Sequence, residues 1–216
     1  MKIGVFDSGV GGLSVAKAIE EAFPKDNIVF MNDPQNVPYG TKTKAELIKL
    51  VLPILIKMTT DGCDVIVIAC NTVTTTLIDQ LRSEITVPLI GMEPMVKPAC
   101  EYTKSNKIAV LATPSTLSSD RYQWLKKSYA KNIEVIEPDC SDWAKMIEES
   151  KIDQEKISMI TNDVCSKGVD VIVLGCTHYH WIENRIKTVS NGRAKVIQPE
   201  KPVIKQLQRV MQGFGH

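Results

Sequence analysis

No stretch of this sequence is apolar for long enough to cross a membrane; the longest such run, around Val65–Cys70, has the length of a strand. Neither sign of charge dominates. Lys and Arg number 26 against 25 Asp and Glu, a formal net charge of +1, which gives no footprint for nucleic acid or another polyanion. Histidine is scarce, three residues in the chain, and no Cys-x-x-Cys pair occurs, so the ligands of a Cys/His zinc site are not there. No low-complexity segment is present. Met1 runs straight into a strand with no charged-then-apolar leader, the pattern expected of a cytoplasmic protein.

What is there is ordinary for a globular chain: 44% hydrophobic and 24% charged residues over 216 positions, enough for one large domain or two small ones with a real core. The six cysteines are expected to be free thiols in a reducing compartment. Cys63, Cys100 and Cys165 read as small buried hydrophobes. Cys140 is left open.

Short apolar runs ended by turn residues predict strands at Lys2–Phe6, Asn27–Met31, Val65–Ala69, Pro88–Gly91, Lys107–Leu111, Ile133–Glu137, Val171–Gly175 and Ala194–Gln198. Between them amphipathic spacing predicts helices over Gly12–Ala22, Lys44–Met58 (with Pro53 as a kink), Thr74–Arg82, Ser118–Ala130, Ser141–Glu149, Gln154–Ser166 and Ile182–Val189. This alternation predicts an α/β fold: mostly parallel sheets with helices on both faces and ligand-binding loops at the strand C-termini. The Pro-marked segment Glu93–Pro98 predicts a boundary near residue 96. The expected domains are 1–96 plus 193–216, with the last stretch completing the first sheet and ending in a helix, and 97–192. The tail Gly213–His216 is expected to be loose.

The chain repeats itself. Asp64-Val-Ile-Val-Ile-Ala-Cys70-Asn-Thr72 matches Asp170-Val-Ile-Val-Leu-Gly-Cys176-Thr-His178, and Lys2–Phe6 matches Lys107–Leu111. Two related halves can therefore face each other across a cleft, each supplying a thiol from a strand tip. Such a pair suits removal of a proton from one face of a carbon and its return on the other. A thiol needs help to ionise near neutral pH. His178 is the candidate partner of Cys176, and Asp7, at the tip of the first strand, that of Cys70. The plainer reading makes both thiols core residues repeated by ancestry. The polar neighbours repeated with them argue otherwise, because a packing residue does not need them.

Phe6-Asp7-Ser8-Gly9-Val10-Gly11-Gly12 joins a strand to a helix whose first N–H groups could hold a carboxylate or a phosphate. It nearly fits Gly-x-Gly-x-x-Gly, with Ser14 in the third place and Asp33 where a ribose acid would stand. That gives a rival: a nucleotide-binding α/β domain. It would set Asp7 beside a pyrophosphate and leave the repeated thiols unexplained. Val37-Pro38-Tyr39-Gly40-Thr41 alone reads as a turn before a helix.

Taken together, the glycine turn, Val37–Gly40, Ala69–Thr72 and Gly175–Tyr179, with Gly91–Pro94 and Leu111–Thr116, resemble the glutamate racemases of the aspartate/glutamate racemase superfamily, in order and up to about residue 200. The resemblance implies two pseudo-symmetric α/β domains enclosing glutamate, with no cofactor, pyridoxal phosphate or metal. It implies that Cys70 takes the α-proton of the D-isomer and Cys176 that of the L-isomer. Asp7 would assist Cys70, His178 would assist Cys176, and Glu148 would be a further assisting acid. Asp7, Ser8, Tyr39, Gly40, Asn71, Thr72, Thr113, Thr116, Thr177 and His178 would hold the substrate. The product would supply D-glutamate to peptidoglycan. Glutamate is then the partner, with no nucleic acid or membrane, and a homodimer is allowed. The chain departs from the family pattern at His180-Trp181, where Pro is usual after the Tyr, at Asn32-Asp33 and at Cys140–Trp143. The alternatives are a racemase of aspartate or another amino acid, a non-catalytic nucleotide- or metabolite-binding α/β protein, and an interaction protein that has lost catalysis.

Overall fold

The computed structural model describes residues 1–213. Eight strands form two four-stranded sheets, all parallel. In the first, β1 (Lys2–Phe6), β2 (Asn27–Met31), β3 (Val65–Ile68) and β4 (Leu89–Gly91) take the order β2-β1-β3-β4. In the second, β5 (Lys107–Ala112), β6 (Glu134–Ile136), β7 (Val171–Gly175) and β8 (Lys195–Ile197) take the order β6-β5-β7-β8. The two orders are the same when the strands of each sheet are counted in turn, which is the internal repeat made visible. All eight expected strands are present. The central ones, β1, β3, β5 and β7, are buried almost throughout, as runs of Val and Ile covered on both faces must be.

The helices are α1 (Gly12–Ala22), α2 (Lys44–Thr60), α3 (Asn71–Glu84), α4 (Val96–Tyr102), α5 (Pro114–Ser118), α6 (Asp120–Tyr129), α7 (Trp143–Glu148), α8 (Gln154–Ser166), α9 (Glu183–Ser190) and α10 (Glu200–Gln212). Four apolar clusters fill the space between sheets and helices, one on each sheet face. A capping box of Thr43 and Glu46 starts α2, which continues through Pro53. Asp153 caps α8 by accepting from Glu155 and Lys156 N–H. No helix among the described residues is long and apolar enough to cross a membrane.

Two expectations need correction. Residues 193–198 do not complete the first sheet: β8 pairs in parallel with β7, with Val171 opposite Lys195 and Val173 opposite Ile197. Only α10 returns, laying Val203 and Leu207 on Val15 and Ile19 of α1. Helix α4 starts within the Pro-marked segment, and its Val96 and Ala99 pack on the second sheet. Pro98 falls in its first turn, where a missing N–H costs nothing. Helix α3 begins at Asn71 rather than Thr74, directly after the thiol, because Cys70 occupies its N-cap position. The expectation for the tail at 214–216 lies outside the described residues.

Candidate active site

Register places the functional side chains. Asp7 N–H bonds the Met31 carbonyl and Ala69 N–H bonds the Phe6 carbonyl, so the ends of β1 and β3 lie side by side. The same topology sets Thr113 after β5 beside Cys176 after β7. The tips of both sheets meet over one nearly closed chamber of about 10 Å³. Both thiols line it. Ser8, Tyr39, Gly40, Asn71 and Thr72 come from the first sheet's loops, and Thr113, Thr177 and His178 from the second's. Pro38 and Ala144 also line it and were not singled out in the sequence. Pro38 read as turn chemistry, and Ala144 is one small residue on an amphipathic helix, with no signal of its own.

Asp7, Glu148 and Thr116 stand one layer back, each behind a lining residue. Asp7 is fully buried and accepts from Gly9 N–H at 3.2 Å, Gly12 N–H at 3.0 Å and the Thr177 hydroxyl at 3.1 Å. Burial raises its carboxyl above the usual range, against the pull of His178 and these donors. Asp7 makes no hydrogen bond to Cys70; the thiol instead donates to Ser8 Oγ at 3.6 Å. Burial pushes the Cys70 thiol up to about 12, Asp7 adds to the rise, and the Val73 N–H opposes it.

Cys176 Sγ lies 3.7 Å from His178 Nδ1. His178 Nε2 meets Glu148 Oε1 at 2.5 Å, and the same oxygen accepts Val10 N–H at 2.7 Å from the first half. Burial opposes charge on His178, but the Cys176 and Glu148 contacts outweigh it and carry the imidazole up to about 10. Glu148 lies below the usual carboxylate range: burial raises it, and His178 and the Val10 N–H more than offset that.

Three buried hydroxyls form a triangle: Thr72 to Thr113 at 2.9 Å, Thr72 to Thr116 at 3.3 Å and Thr113 to Thr116 at 3.0 Å. Gly40 sits where a Cβ would collide with Thr113, at 2.6 Å from its Cβ. Tyr39 donates to Asp33 Oδ2 at 2.7 Å, so its phenolic oxygen is left to accept. Asn71 is the exception to this self-satisfaction. Its amide nitrogen and oxygen are both buried without a partner. Buried polar groups are nearly always paired, so an orphaned amide at a chamber wall calls for an explanation.

The glycine turn holds no nucleotide site. Asp7 takes the Gly9 and Gly12 N–H groups and Glu148 takes that of Val10, so carboxylates of the chain itself fill the place a phosphate would need. Asp33, the expected ribose acid, is engaged by Tyr39 and Asn36. The glycines serve closeness instead. A Cβ on Gly11 would lie 2.6 Å from the His178 backbone nitrogen, and one on Gly9 would run into the Glu148 carboxylate. Among the described residues no group of three or more His, Cys, Asp or Glu side chains is arranged to hold a metal ion.

These features define a class: a two-lobed parallel α/β protein in which duplicated strand tips bring one thiol each to a shared chamber. The chain belongs to the Asp/Glu/Hydantoin racemase family, whose sequence profile matches residues 3–207. It is 35% identical to the glutamate racemase of Methylococcus capsulatus, over 99% of this chain and 80% of that protein. It is 37% identical to that of Clostridium botulinum, over 98% and 84%. A crystal structure of glutamate racemase from Francisella tularensis in complex with D-glutamate superposes with a TM-score of 0.82 at 29% identity, over 99% of this chain and 82% of that one.

Proposed function

We propose that this protein interconverts L- and D-glutamate by moving the α-proton between Cys70 and Cys176, supplying D-glutamate for peptidoglycan. The observation that carries the reading is the convergence of both thiols on one chamber, from equivalent strands of two like sheets. The glutamate racemases among its relatives name the substrate. We take the two lobes as the first sheet with α10, and residues 96–198.

The α-proton of an amino acid is a weak acid, and its carbanion must be stabilised as enolate-like charge on the carboxylate. The chamber lining carries no Lys or Arg; it offers neutral donors, the Asn71 amide and the Ser8, Thr72, Thr113 and Thr177 hydroxyls. One preorganised donor of this kind is worth about 3–4 kcal/mol where charge develops. Tyr39, committed as a donor to Asp33, accepts from the substrate ammonium. Without substrate the Cys70 thiol, at about 12, is ionised in roughly one molecule in 10⁵ at pH 7. A substrate ammonium beside it favours the thiolate, so the base forms where it is needed.

In one direction Cys70 removes the proton of D-glutamate and Cys176 delivers its own to the opposite face. The other direction exchanges the roles. His178, held charged by Glu148, is the acid neighbour that stabilises a Cys176 thiolate. Asp7 makes a Cys70 thiolate a stronger base and orients Thr177. The test is optical rotation of L-glutamate, D-glutamate and L-aspartate solutions with the protein. Both glutamate signals are expected to decay to zero with aspartate unchanged; decay of aspartate alone overturns the glutamate reading.

A further inference from the structure

His180 stands two residues beyond His178, in the 3-10 turn Thr177–Ile182. Its Nδ1 lies 3.2 Å from Ser14 Oγ, in the first turn of α1 on the other lobe. Ser14 Oγ donates its one proton to the Gly11 carbonyl at 3.1 Å, so toward the imidazole it can only accept. The imidazole therefore donates from Nδ1. Its other nitrogen, Nε2, is buried and has no partner. A bare lone pair there costs less than an orphaned N–H. The Ser14 contact at Nδ1 and the unpartnered Nε2 select the same form: neutral, with the proton on Nδ1. Burial and the neighbouring His178 charge act in that direction too, pulling His180 down to about 4.

Gly11, which receives the Ser14 proton, is itself pressed against His178. A Cβ on it would come within 2.6 Å of the His178 backbone nitrogen and 2.9 Å of Nδ1. The path from His180 through Ser14 and Gly11 to His178 thus leaves the turn and comes back to it. His180 is not among the residues that line the chamber.

We propose that His180 is a positioning residue: by donating from Nδ1 to Ser14 it clamps the 177–182 turn onto α1 and holds the His178 ring at Cys176. The role of that pair rests on the function argued above. The clamp needs an imidazole at 180 and a hydroxyl at 14.

Imidazole nitrogen NMR tests it, since the chain has only three histidines. The parent protein is expected to show His180 in the Nδ1–H tautomer from pH 6 to 9. His180→Asn keeps a donor near the Nδ1 position, His180→Gln moves it to the Nε2 position, and Ser14→Ala removes the acceptor from the other lobe. Ser14→Ala and His180→Gln are expected to lower the His178 titration midpoint by about one pH unit and kcat about tenfold, with KM for glutamate unchanged. His180→Asn is expected to keep both near the parent values. A proton on Nε2, an unmoved His178 midpoint in Ser14→Ala, or Asn and Gln variants that behave alike would each overturn the clamp. If the protein leaves glutamate unchanged yet the midpoint moves as described, the clamp stands and the substrate reading falls. Racemisation with an unmoved midpoint sinks the clamp alone.

Discussion

Thr177, at the tip of the second sheet, donates its hydroxyl at 3.1 Å to Asp7, at the tip of the first and 170 positions away in sequence. This bond crosses between the lobes at the chamber wall. Other contacts cross with it: Glu148 to Val10 N–H, His180 to Ser14, Ser115 Oγ to the Gly40 carbonyl at 2.7 Å, and Thr72 to Thr113 and Thr116. The chamber is therefore shaped by the closed form, and access for substrate means breaking contacts of this set.

Removing the Asn71 amide separates function from stability. The group has no protein partner, so Asn71→Ala is expected to leave thermal unfolding unchanged or slightly raised. Its loss toward substrate is expected to lower kcat/KM for glutamate about 10²-fold. A destabilised variant with normal kcat/KM would show the amide to be structural.

The two glycines of the turn are expected to fail differently. Gly11→Ala drives a methyl against the His178 backbone, which cannot yield without moving the lobe. A loss of about 1–3 kcal/mol is expected in denaturant unfolding, with activity lost as well. Gly9→Ala meets the far end of the Glu148 side chain, which can swing away. It is expected to fold nearly normally and to lose kcat. Equal destabilisation in the two variants contradicts this.

A pH series tests the Glu148–His178 pair. Folding holds His178 at about 10 against an ordinary value of 6.5. The folded state therefore keeps a proton that the unfolded state releases as pH passes 6.5. The stabilisation is complete below pH 6.5, declines above it and is gone above about 10. The thermal midpoint of the parent protein is expected to fall across that window. In Glu148→Gln the decline is expected to be shallower, the His178 titration lower and kcat down about 10²-fold. Equal slopes in the two proteins would remove Glu148 from this role.

Much of the fold was legible because burial on both sheet faces leaves uninterrupted Val and Ile runs, as in Val65–Ile68 and Val171–Leu174. The duplicated thiols were legible because the repeat kept their polar neighbours. What escaped depends on distance through space. The edge strand Lys195–Ile197 carries no mark of which sheet it joins, and its pairing with Val171–Val173 is set by packing. The Asp7–Thr177 and Ser14–His180 bonds join residues more than 160 positions apart, for which one sequence carries no local signal. The glycines of the 9–12 turn suggested phosphate binding, when their use is to admit the other lobe.

The two-thiol claim meets its most direct test in heavy water. L-Glutamate with the parent protein is expected to give D-glutamate carrying one deuterium at the α-carbon, read by mass spectrometry after chiral separation. Cys70→Ser and Cys176→Ser are each expected to lower that conversion by more than about 10³-fold. Either variant racemising at the parent rate, or D-glutamate formed with its original α-proton in every turnover, would contradict the account.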